Sequence, residues 1–454
     1  MSYQSDSGDI RMFLCGDLMP SRRLTCFQEK NYLALVELVR GANVAFANLE
    51  TPVRHRHEGA ADSHQGTPMT ADPVLLQDIR WMGFDVVSSA NNHVPDYGTD
   101  GVAATLRHLD DADIPAAGAG LNLSQARRPA FKDTAAGRVG VVAATSFFRP
   151  RTQASDQRPD AAGRPGINPL AFSRSYTVDS TSFAELARVS AELGLTQERA
   201  RLRKKFFSER EVPADTADEL IFLDARFTRS SKFAVRTKVS QEDAEANLRW
   251  IKEARRQSDW VIFSFHYHEF GSSGRLTATS EVELDEPADF VVEFARAAID
   301  AGADVVAGHG PHLALGIEIY RGRPIFYSLG NFIFQNETID VIPAEAYGRF
   351  GLTHYSTPSE FFEMRTDGDR KGFPATREYW ESFVAVCEFG ARKLANIRVY
   401  PTDLGFGRPR AARGRPVLAT GDTASRILTR LARRSQRYGT VFSVAGEECC
   451  VKLA

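Results

Sequence analysis

The sequence has little of what marks secreted, membrane-spanning or nucleic-acid-binding proteins. Its 454 residues include only five cysteines, an odd and scattered set, so we expect reduced thiols and a cytoplasmic location. No run approaches the roughly 18 apolar residues of a membrane-spanning helix, and the first residues show no secretory signal pattern. The formal net charge of −2 removes the electrostatic case for a nucleic-acid or membrane partner.

What the sequence does contain is the composition of an ordinary globular protein, with 43% hydrophobic and 25% charged residues. That material suffices for a large apolar core. Short apolar runs such as "IRMFLCGD", "NVAFANLE" and "DWVIFSFHYHEF" alternate with helical patterns. Strands that are almost continuously apolar are typical of a mostly parallel sheet covered on both faces. The sequence therefore predicts an α/β fold.

Two stretches interrupt this alternation. Residues 151–240 begin with a loop rich in Pro, Gly and Arg and continue into a helical pattern with a basic stripe, which we interpret as an insertion with a solvated helix face. Residues 336–382 form a long aromatic-rich connection, and connections of that length are often lids. We predict one catalytic domain over residues 1–454 that carries both additions.

Polar side chains gather at or just past the C-terminal ends of the predicted strands, where open α/β sheets bind ligands. The set offers carboxylate, amide and imidazole groups without sulfur, which argues against a structural zinc site. It suits two divalent ions, such as Mn, Fe, Zn, Co, Ni or Ca, bridged by a carboxylate, with no organic cofactor. Taken singly, each residue has an ordinary alternative, such as a helix N-cap or a core histidine. The candidate ligands are Asp17, Glu50, Asn92, His266, His309 and His312.

Several motifs resemble the CapA family, which is named for poly-γ-glutamate capsule synthesis and is a branch of the calcineurin-like metallophosphoesterases. They are "CGDLMPSR", "NLETPV", "GHGPH" and "RPIFYSLGNFIFQ", in order between residue 12 and about residue 335. The resemblance implies an α/β sandwich with mixed, largely parallel sheets, helices on the outer faces and a dinuclear metal site at the strand ends.

The same resemblance implies roles for individual residues. His93 follows a metal-binding Asn and would be the acid/base histidine. The superfamily's Asp-x-His motif has Met19 in place of its histidine here, so we expect the first metal to be held more weakly. The ligands would divide into a first-metal pair, a bridging carboxylate and a second-metal trio: Asp17 with His312, then Glu50, then Asn92, His266 and His309.

Four further residues are candidates for catalysis or substrate binding. His268 stands where many CapA-like chains have glycine, and is either a neutral difference or an additional acid/base group. Arg22 either clamps a carboxylate or phosphate or is an ordinary surface arginine. Tyr347 and Tyr355, in the aromatic connection, either line a peptide groove or belong to a satellite core.

Three functions are compatible with these residues. The first is metal-dependent, cofactor-independent inversion of a peptide α-carbon, as in CapA-like epimerases of lasso peptides, at the C-terminal residue of a ribosomal precursor. The second is metal-dependent hydrolysis of a phosphoester or γ-glutamyl amide, with His93 protonating the leaving group. The third is a non-catalytic subunit of poly-γ-glutamate synthesis. The aromatic connection suits a bulky peptide, and the weakened first metal and His268 favour proton transfer, so we predict the epimerase.

Overall fold

The structure is a computed structural model that describes residues 8–62, 66–208, 212–271 and 286–453. The chain divides into two compact units. The first comprises Met1–Leu170, Glu242–His268 and Ala295–Ala454, and the second comprises Ala171–Gln241 and Glu269–Phe294. The predicted insertion overlaps the second unit, although residues 151–170 belong to the first. All the candidate metal ligands lie in the first unit.

Within the described ranges, the strands form four sheets. In chain order the strands are β1 (Ile10–Met19), β2 (Val44–Leu49), β3 (Val86–Ser88), β4 (Ala116–Ala117), β5 (Ala119–Gly120), β6 (Ala130–Thr134), β7 (Gly137–Thr145), β8 (Gly166–Ile167), β9 (Phe172–Val178), β10 (Glu219–Phe222), β11 (Ala225–Arg229), β12 (Ala234–Val239), β13 (Trp260–His266), β14 (Val305–His309), β15 (Ile317–Tyr320), β16 (Arg323–Phe326), β17 (Asn331–Phe334), β18 (Glu381–Gly390), β19 (Lys393–Asp403), β20 (Val417–Leu418), β21 (Val441–Ala445) and β22 (Glu448–Lys452).

The α-helices of the described residues cover both long amphipathic segments and single turns. In chain order they are α1 (Lys30–Arg40), α2 (Leu75–Met82), α3 (Gly98–Asp111), α4 (Leu123–Arg127), α5 (Ser180–Glu192), α6 (Leu195–Lys205), α7 (Gln241–Gln257), α8 (Asp289–Asp300), α9 (Ala344–Gly348), α10 (Pro358–Thr366) and α11 (Gly421–Gln436). Within the described ranges, no helix combines the length and apolar character that crossing a membrane requires.

The first unit contains two large mixed sheets. Ten strands form one, in the order β21-β22-β19-β18-β1-β2-β3-β4, with β17 also beside β1 and β20 beside β19. Six strands form the other, in the order β15-β16-β14-β13-β7-β6. The neighbours β1, β2 and β3 run parallel to one another, as do β7, β13 and β14, while β18 and β6 pair antiparallel with their neighbours. Both sheets are therefore parallel at the strands whose ends carry the candidate ligands.

Alternation along β1 sends its side chains to two different sides of the sheet. Met12 and Leu14 belong to a buried cluster that also contains Ile262 of the six-stranded sheet. Phe13 belongs to a second cluster, which it shares with Leu35 of α1. The two sheets thus pack face to face with helices on the outside, which confirms the predicted α/β sandwich.

The second unit has its own small sheet, in the order β10-β11-β9-β12. Val178, Phe183 and Leu220 form the centre of its apolar cluster. The helical pattern with the basic stripe is divided between α5 and α6 at Gly194, whose φ of 72° lies in the left-handed region. No residue of α6 is buried, as expected for a solvated helix face.

Gly16 allows β1 to approach the turn before β17 closely. A Cβ atom at this position would lie 1.7 Å from the carbonyl oxygen of Gly330. The backbone N–H of Asp17 donates a hydrogen bond of 3.0 Å to the same oxygen. The backbone at Gly330 leaves no room for a side chain at position 16. The close approach that glycine permits therefore also helps to position Asp17, the next residue.

We expect Gly16→Ala to lower the free energy of unfolding by about 1–3 kcal/mol or more, since the methyl group forces the backbone at Gly330 to move. Urea unfolding of the purified variant measures the change. Gly348→Ala is the matched control, because nothing lies within 4 Å of a Cβ atom there. Equal unfolding midpoints for Gly16→Ala and the control would contradict this interpretation of the contact.

Candidate metal centre

The candidate ligands lie where strands of both large sheets end. In the ten-stranded sheet, β1 and β2 are in register at Asp17 and Asn48, and Glu50 follows β2 directly. In the six-stranded sheet, β13 and β14 end together at the register pair His266 and His309. The face-to-face packing therefore brings the carboxylates of one sheet against the imidazoles of the other.

Donor atoms of these side chains lie close together. Asp17 Oδ1 is 3.4 Å from His309 Nδ1, and Asp17 Oδ2 is 3.4 Å from His312 Nδ1. Glu50 Oε1 is 3.7 Å from His266 Nε2 and 3.8 Å from His312 Nε2. Ligand atoms bonded to one ion at about 2.0–2.2 Å stand roughly 3–3.6 Å apart, so this spacing is close to that of a metal centre.

Asn92 completes the set from the turn after β3. Its Oδ1 atom lies 2.8 Å from His266 Nε2. The structure thus brings all the predicted ligands into one cluster. Their assignment as ligands, and their division between two ions, stay predictions.

The cluster passes a simple test of whether a cation fits it. Asp17, Glu50 and His309 are fully buried. Among the described residues, no hydrogen-bond partner serves Asp17 Oδ2, either oxygen of Glu50 or either ring nitrogen of His309. Leaving a buried polar atom unpaired costs about 1–3 kcal/mol, and more if it is charged. Divalent cations prefer this combination of oxygen and imidazole donors, so the residues fit a metal centre.

The two carboxyl groups respond differently to their surroundings. Burial raises the pKa of Asp17, but the imidazoles of His309 and His312 outweigh it and hold that pKa well below its usual range. Burial, reinforced by the negative charge of Asp17, raises the pKa of Glu50 well above its ordinary value. Ionisation of both carboxyl groups therefore requires additional positive charge beside them, and a bound cation would supply it.

Three imidazoles of the site, His93, His266 and His268, are held neutral. Burial, followed by the charge of His268, lowers the pKa of His266 well below its ordinary value. Burial, followed by the charge of His312, lowers the pKa of His93 and that of His268 to about 3. Neutral imidazole is the form that binds metals and accepts protons.

The Gly-His-Gly-Pro-His turn after β14 has a demanding backbone. Gly310 has a φ of 104°, and a Cβ atom there would lie 2.2 Å from the carbonyl oxygen of Tyr267. His312 also has a positive φ, 58°, which is uncommon for a residue with a side chain. Asn331 fixes that strained residue, because its Oδ1 lies 2.9 Å from His312 Nδ1 and its amide donates to the His312 carbonyl oxygen at 3.2 Å.

Sequence reasoning missed three residues that hold this cluster together: Asn48, Asp96 and Asn331. Asn48 Nδ2 donates to Asp17 Oδ1 at 2.8 Å, and Asn331 is in register with Asp17 across β1 and β17. Asn48 and Asn331 lie inside motifs quoted above, and Asp96 follows His93 by three residues. Their polar side chains at strand ends were the available signal, but only the structure shows their partners.

His93 and His268 both lie beside the ligand cluster. His93 Nδ1 is 2.7 Å from Asp96 Oδ2, which also accepts the backbone N–H of Met69 at 2.7 Å. This contact assigns the ring proton of His93 to Nδ1 and leaves Nε2 as the acceptor. The His268 ring lies 5.6 Å from that of His312, centroid to centroid. The structure therefore brings both proposed acid/base groups to the site.

The three predicted substrate-binding residues are not brought together with the cluster. Arg22 donates to backbone carbonyls, with Nη1 2.7 Å from Ala411 O. Tyr347 is buried in a satellite cluster with Phe361, whereas Tyr355 is 86% exposed. A different residue of the aromatic connection reaches the site, since the Phe373 ring lies 5.5 Å from the His312 ring. The substrate-binding roles of the three stay predictions.

An α/β sandwich with carboxylate, amide and imidazole groups converging at its strand ends is the arrangement of metallophosphoesterase-like proteins. The chain belongs to the family described as "Bacterial capsule synthesis protein PGA_cap", whose model matches residues 11–336. The resemblance to the CapA family is thereby confirmed.

Relatives extend the likeness over different parts of the chain. The protein y4sH of Sinorhizobium fredii is 32% identical, over 97% of this chain and 93% of that protein. The PGA biosynthesis protein CapA of Bacillus subtilis is 24% identical, over 70% of this chain and 62% of its own length. A probable polyglutamine synthesis accessory protein of Mycobacterium tuberculosis is 30% identical, over 56% of this chain and 46% of its own length.

We expect Asn92→Ala and His309→Ala each to lower the metal-to-protein ratio, because each removes a donor atom from the cluster. Elemental analysis of the purified variants, after loading with manganese and desalting, measures the ratio. His57→Ala is the control, since that exposed histidine stacks on His55 outside the cluster. A wild-type ratio in either ligand variant would contradict the assignment of that residue.

Glu50→Gln should change stability in opposite directions with and without metal. In metal-free protein it removes a buried carboxyl group whose raised pKa costs stability as the pH rises above about 4.3, so the variant should unfold at a higher temperature at neutral pH. With metal at about 1,000 times its Kd, wild type should gain about 4 kcal/mol that the variant lacks.

Thermal unfolding at pH 7.5 in EDTA and in manganese tests this reversal. Glu37→Gln, an exposed change on α1, should leave both values unaltered. The same ranking of wild type and Glu50→Gln in both conditions would argue against metal binding at Glu50.

Proposed function

We propose that this chain is a divalent-metal-dependent enzyme that inverts an α-carbon of a peptide by acid/base proton transfer. The observation that supports this most directly is the pair of neutral imidazoles, His93 and His268, beside one buried ligand cluster. Burial lowers the pKa of each to about 3, so each is a base at neutral pH. Inversion of a carbon centre needs two imidazoles, a neutral one that removes the proton and one that, once protonated from solvent, returns a proton from the opposite face.

Divalent ions bound at the cluster would polarise the carbonyl next to the α-carbon and thereby acidify its proton. His93 Nε2 is the atom that exchanges this proton, because Nδ1 is held by Asp96 at 2.7 Å. Asp96 also fixes the ring orientation and stabilises the imidazolium that forms. His268 is the proposed partner on the other face: it takes up a proton from solvent, gives that proton to the planar carbanion and becomes neutral again, while His93 releases the abstracted proton to solvent.

Hydrolysis of a γ-glutamyl amide or a phosphoester is the second candidate. The His93–Asp96 contact supports it specifically, since an imidazole backed by a carboxylate suits donation of a proton to a leaving group. Under this alternative His93 occupies the same position but donates a proton to the leaving group instead of removing one from the α-carbon. His268 then has no required part in the reaction.

The names of the relatives supply the biological context for the substrate. Proteins named for PGA or capsule biosynthesis and for a polyglutamine synthesis accessory role suggest a polyglutamyl or other peptide chain as the molecule handled. An accessory role of this kind is compatible with catalysis on that chain, while a purely non-catalytic role predicts no turnover. The free cysteines support the proposed reducing, cytoplasmic location.

We expect manganese-loaded protein in D₂O to introduce one deuterium at one α-carbon of a substrate peptide without cleaving it. A library of synthetic peptides that differ in their C-terminal residues, read by mass spectrometry, provides the candidate substrates. His93→Gln should keep its metal and slow the exchange by about 10²-fold or more. His354→Gln, an exposed histidine away from the cluster, should exchange at the wild-type rate.

Parallel reactions in H₂¹⁸O separate the alternatives. If fragments carry ¹⁸O and the intact peptide gains no deuterium, the result contradicts epimerisation and supports hydrolysis. Metal-loaded protein that does neither across the library would leave the non-catalytic role as the better account.

A further inference from the structure

We propose that Arg365 binds a carboxylate group of the peptide substrate and so orients the peptide beside His93. The peptide identity of the ligand rests on the proposed function. The binding of a carboxylate at this position can be measured without any turnover.

Arg365 lies on α10 in the aromatic connection. A capping box begins that helix, because Thr357 Oγ1 accepts the Glu360 N–H and the Glu360 carboxylate accepts the Thr357 N–H at 2.6 Å. Phe361 and Phe362 anchor the helix in the satellite apolar cluster. The capped and anchored helix therefore presents Arg365 from a fixed scaffold rather than from a loose loop.

A cavity of about 280 Å³ is lined by Arg365. Phe373 lines the same cavity and contacts the His312 ring, with centroids 5.5 Å apart. Tyr379 also lines it, and its carbonyl oxygen accepts a 2.9 Å hydrogen bond from Asn331, which holds His312. The Phe373 side chain therefore stands between a group bound in this cavity and the candidate ligand His312.

Arg365 forms no ion pair with a carboxylate in the part of the chain that the structure describes, although Glu337 lines the same cavity and its charge partly offsets the effect of burial on the pKa of Arg365. Its guanidinium donates to Thr67 Oγ1, a neutral partner. Neighbouring acids are engaged elsewhere. Both oxygens of Glu337 accept from Arg413 at 2.7 Å, and Asp369 accepts from Arg410 at 2.8 Å. The neighbouring arginines are thus neutralised, and Arg365 is not.

Further cations surround this unpaired guanidinium. Burial, followed by the like charge of Arg349, lowers the pKa of Arg365, and burial followed by Arg149 does the same for Arg349. Lys371 lines the same cavity. Arg349 and Lys371 are exposed, but Arg365 is half-buried, so its like-charged neighbours make its burial more costly and an incoming anion would relieve that cost. A planar carboxylate matches the guanidinium because it can accept two parallel hydrogen bonds.

The carboxylate can come from two places in a peptide, the C-terminus or an acidic side chain. Both present the same planar anion to Arg365. The test therefore uses fluorescein-labelled Gly-Glu-Glu-Glu as the probe, together with a C-terminally amidated form and a form in which glutamine replaces each glutamate. Fluorescence anisotropy measures their binding to manganese-loaded protein.

We expect the wild-type protein to bind the acidic probe about 10- to 100-fold more tightly than the form that lacks the recognised carboxylate, as charge-assisted hydrogen bonds typically provide. Arg365→Gln should abolish that preference and leave bound metal unchanged. Arg365→Lys should retain part of it, because the charge remains but the two parallel donors are lost. Arg370→Gln is the matched control, since Arg370 is exposed and paired with Asp367 at 2.7 Å.

A preference for the acidic probe that survives in Arg365→Gln, or its absence in wild type, would overturn the proposal. Failure of the two proposals can be told apart. Carboxylate binding that depends on Arg365, without deuterium exchange, supports this inference and contradicts epimerisation. If deuterium exchange is unchanged by Arg365→Gln and by loss of the peptide carboxylate, epimerisation stands and this inference is contradicted.

Discussion

The burial of two carboxyl groups against the imidazoles of a facing sheet is the constraint on which the rest of the site depends. Asp17 and Glu50 are fully buried, and three of their four oxygens lack a hydrogen-bond partner among the described residues. A fold does not tolerate such an arrangement without compensation, because buried charge that is unpaired costs several kcal/mol. Bound cations would provide that compensation, so the proposed function and the stability of the fold would depend on the same atoms.

The scaffold explains how such a cluster can be rigid. Each large sheet ends its parallel strands at the same edge, and face-to-face packing aligns the two edges. Close backbone contacts at Gly16 and Gly310 restrict movement of the backbone around the site. Asn331, on a third strand, fixes the His312 ring. Side chains on strand ends are positioned more accurately than side chains on loops, which a polarising centre needs.

Membership of the PGA_cap family establishes the fold and fits the metal-ligand cluster, but it does not select a reaction, because one fold hosts many chemistries. The family model ends at residue 336, where the aromatic connection begins, whereas the likeness to y4sH extends over 97% of the chain. Arg365 and Phe373 lie beyond that model. The residues proposed here to bind the substrate carboxylate thus lie outside the part that defines the family.

The alternation of apolar runs and helical patterns predicted an α/β fold, and the polar residues after those runs predicted the cluster of candidate ligands, because parallel strands end at one edge. The sandwich was implied by the resemblance to the CapA family and not by the runs. The sequence could not decide which polar residues become partners, since Asp17 and Asn331 meet only when strands distant along the chain lie in register. It also could not distinguish Tyr347, which is buried, from Tyr355, which is exposed. Both belong to one aromatic-rich segment whose apolar residues show no regular helical or strand spacing. The sequence also could not show that Arg365 forms no ion pair. That depends on the tertiary structure, in which Arg413 and Arg410 bind the neighbouring carboxylates of Glu337 and Asp369.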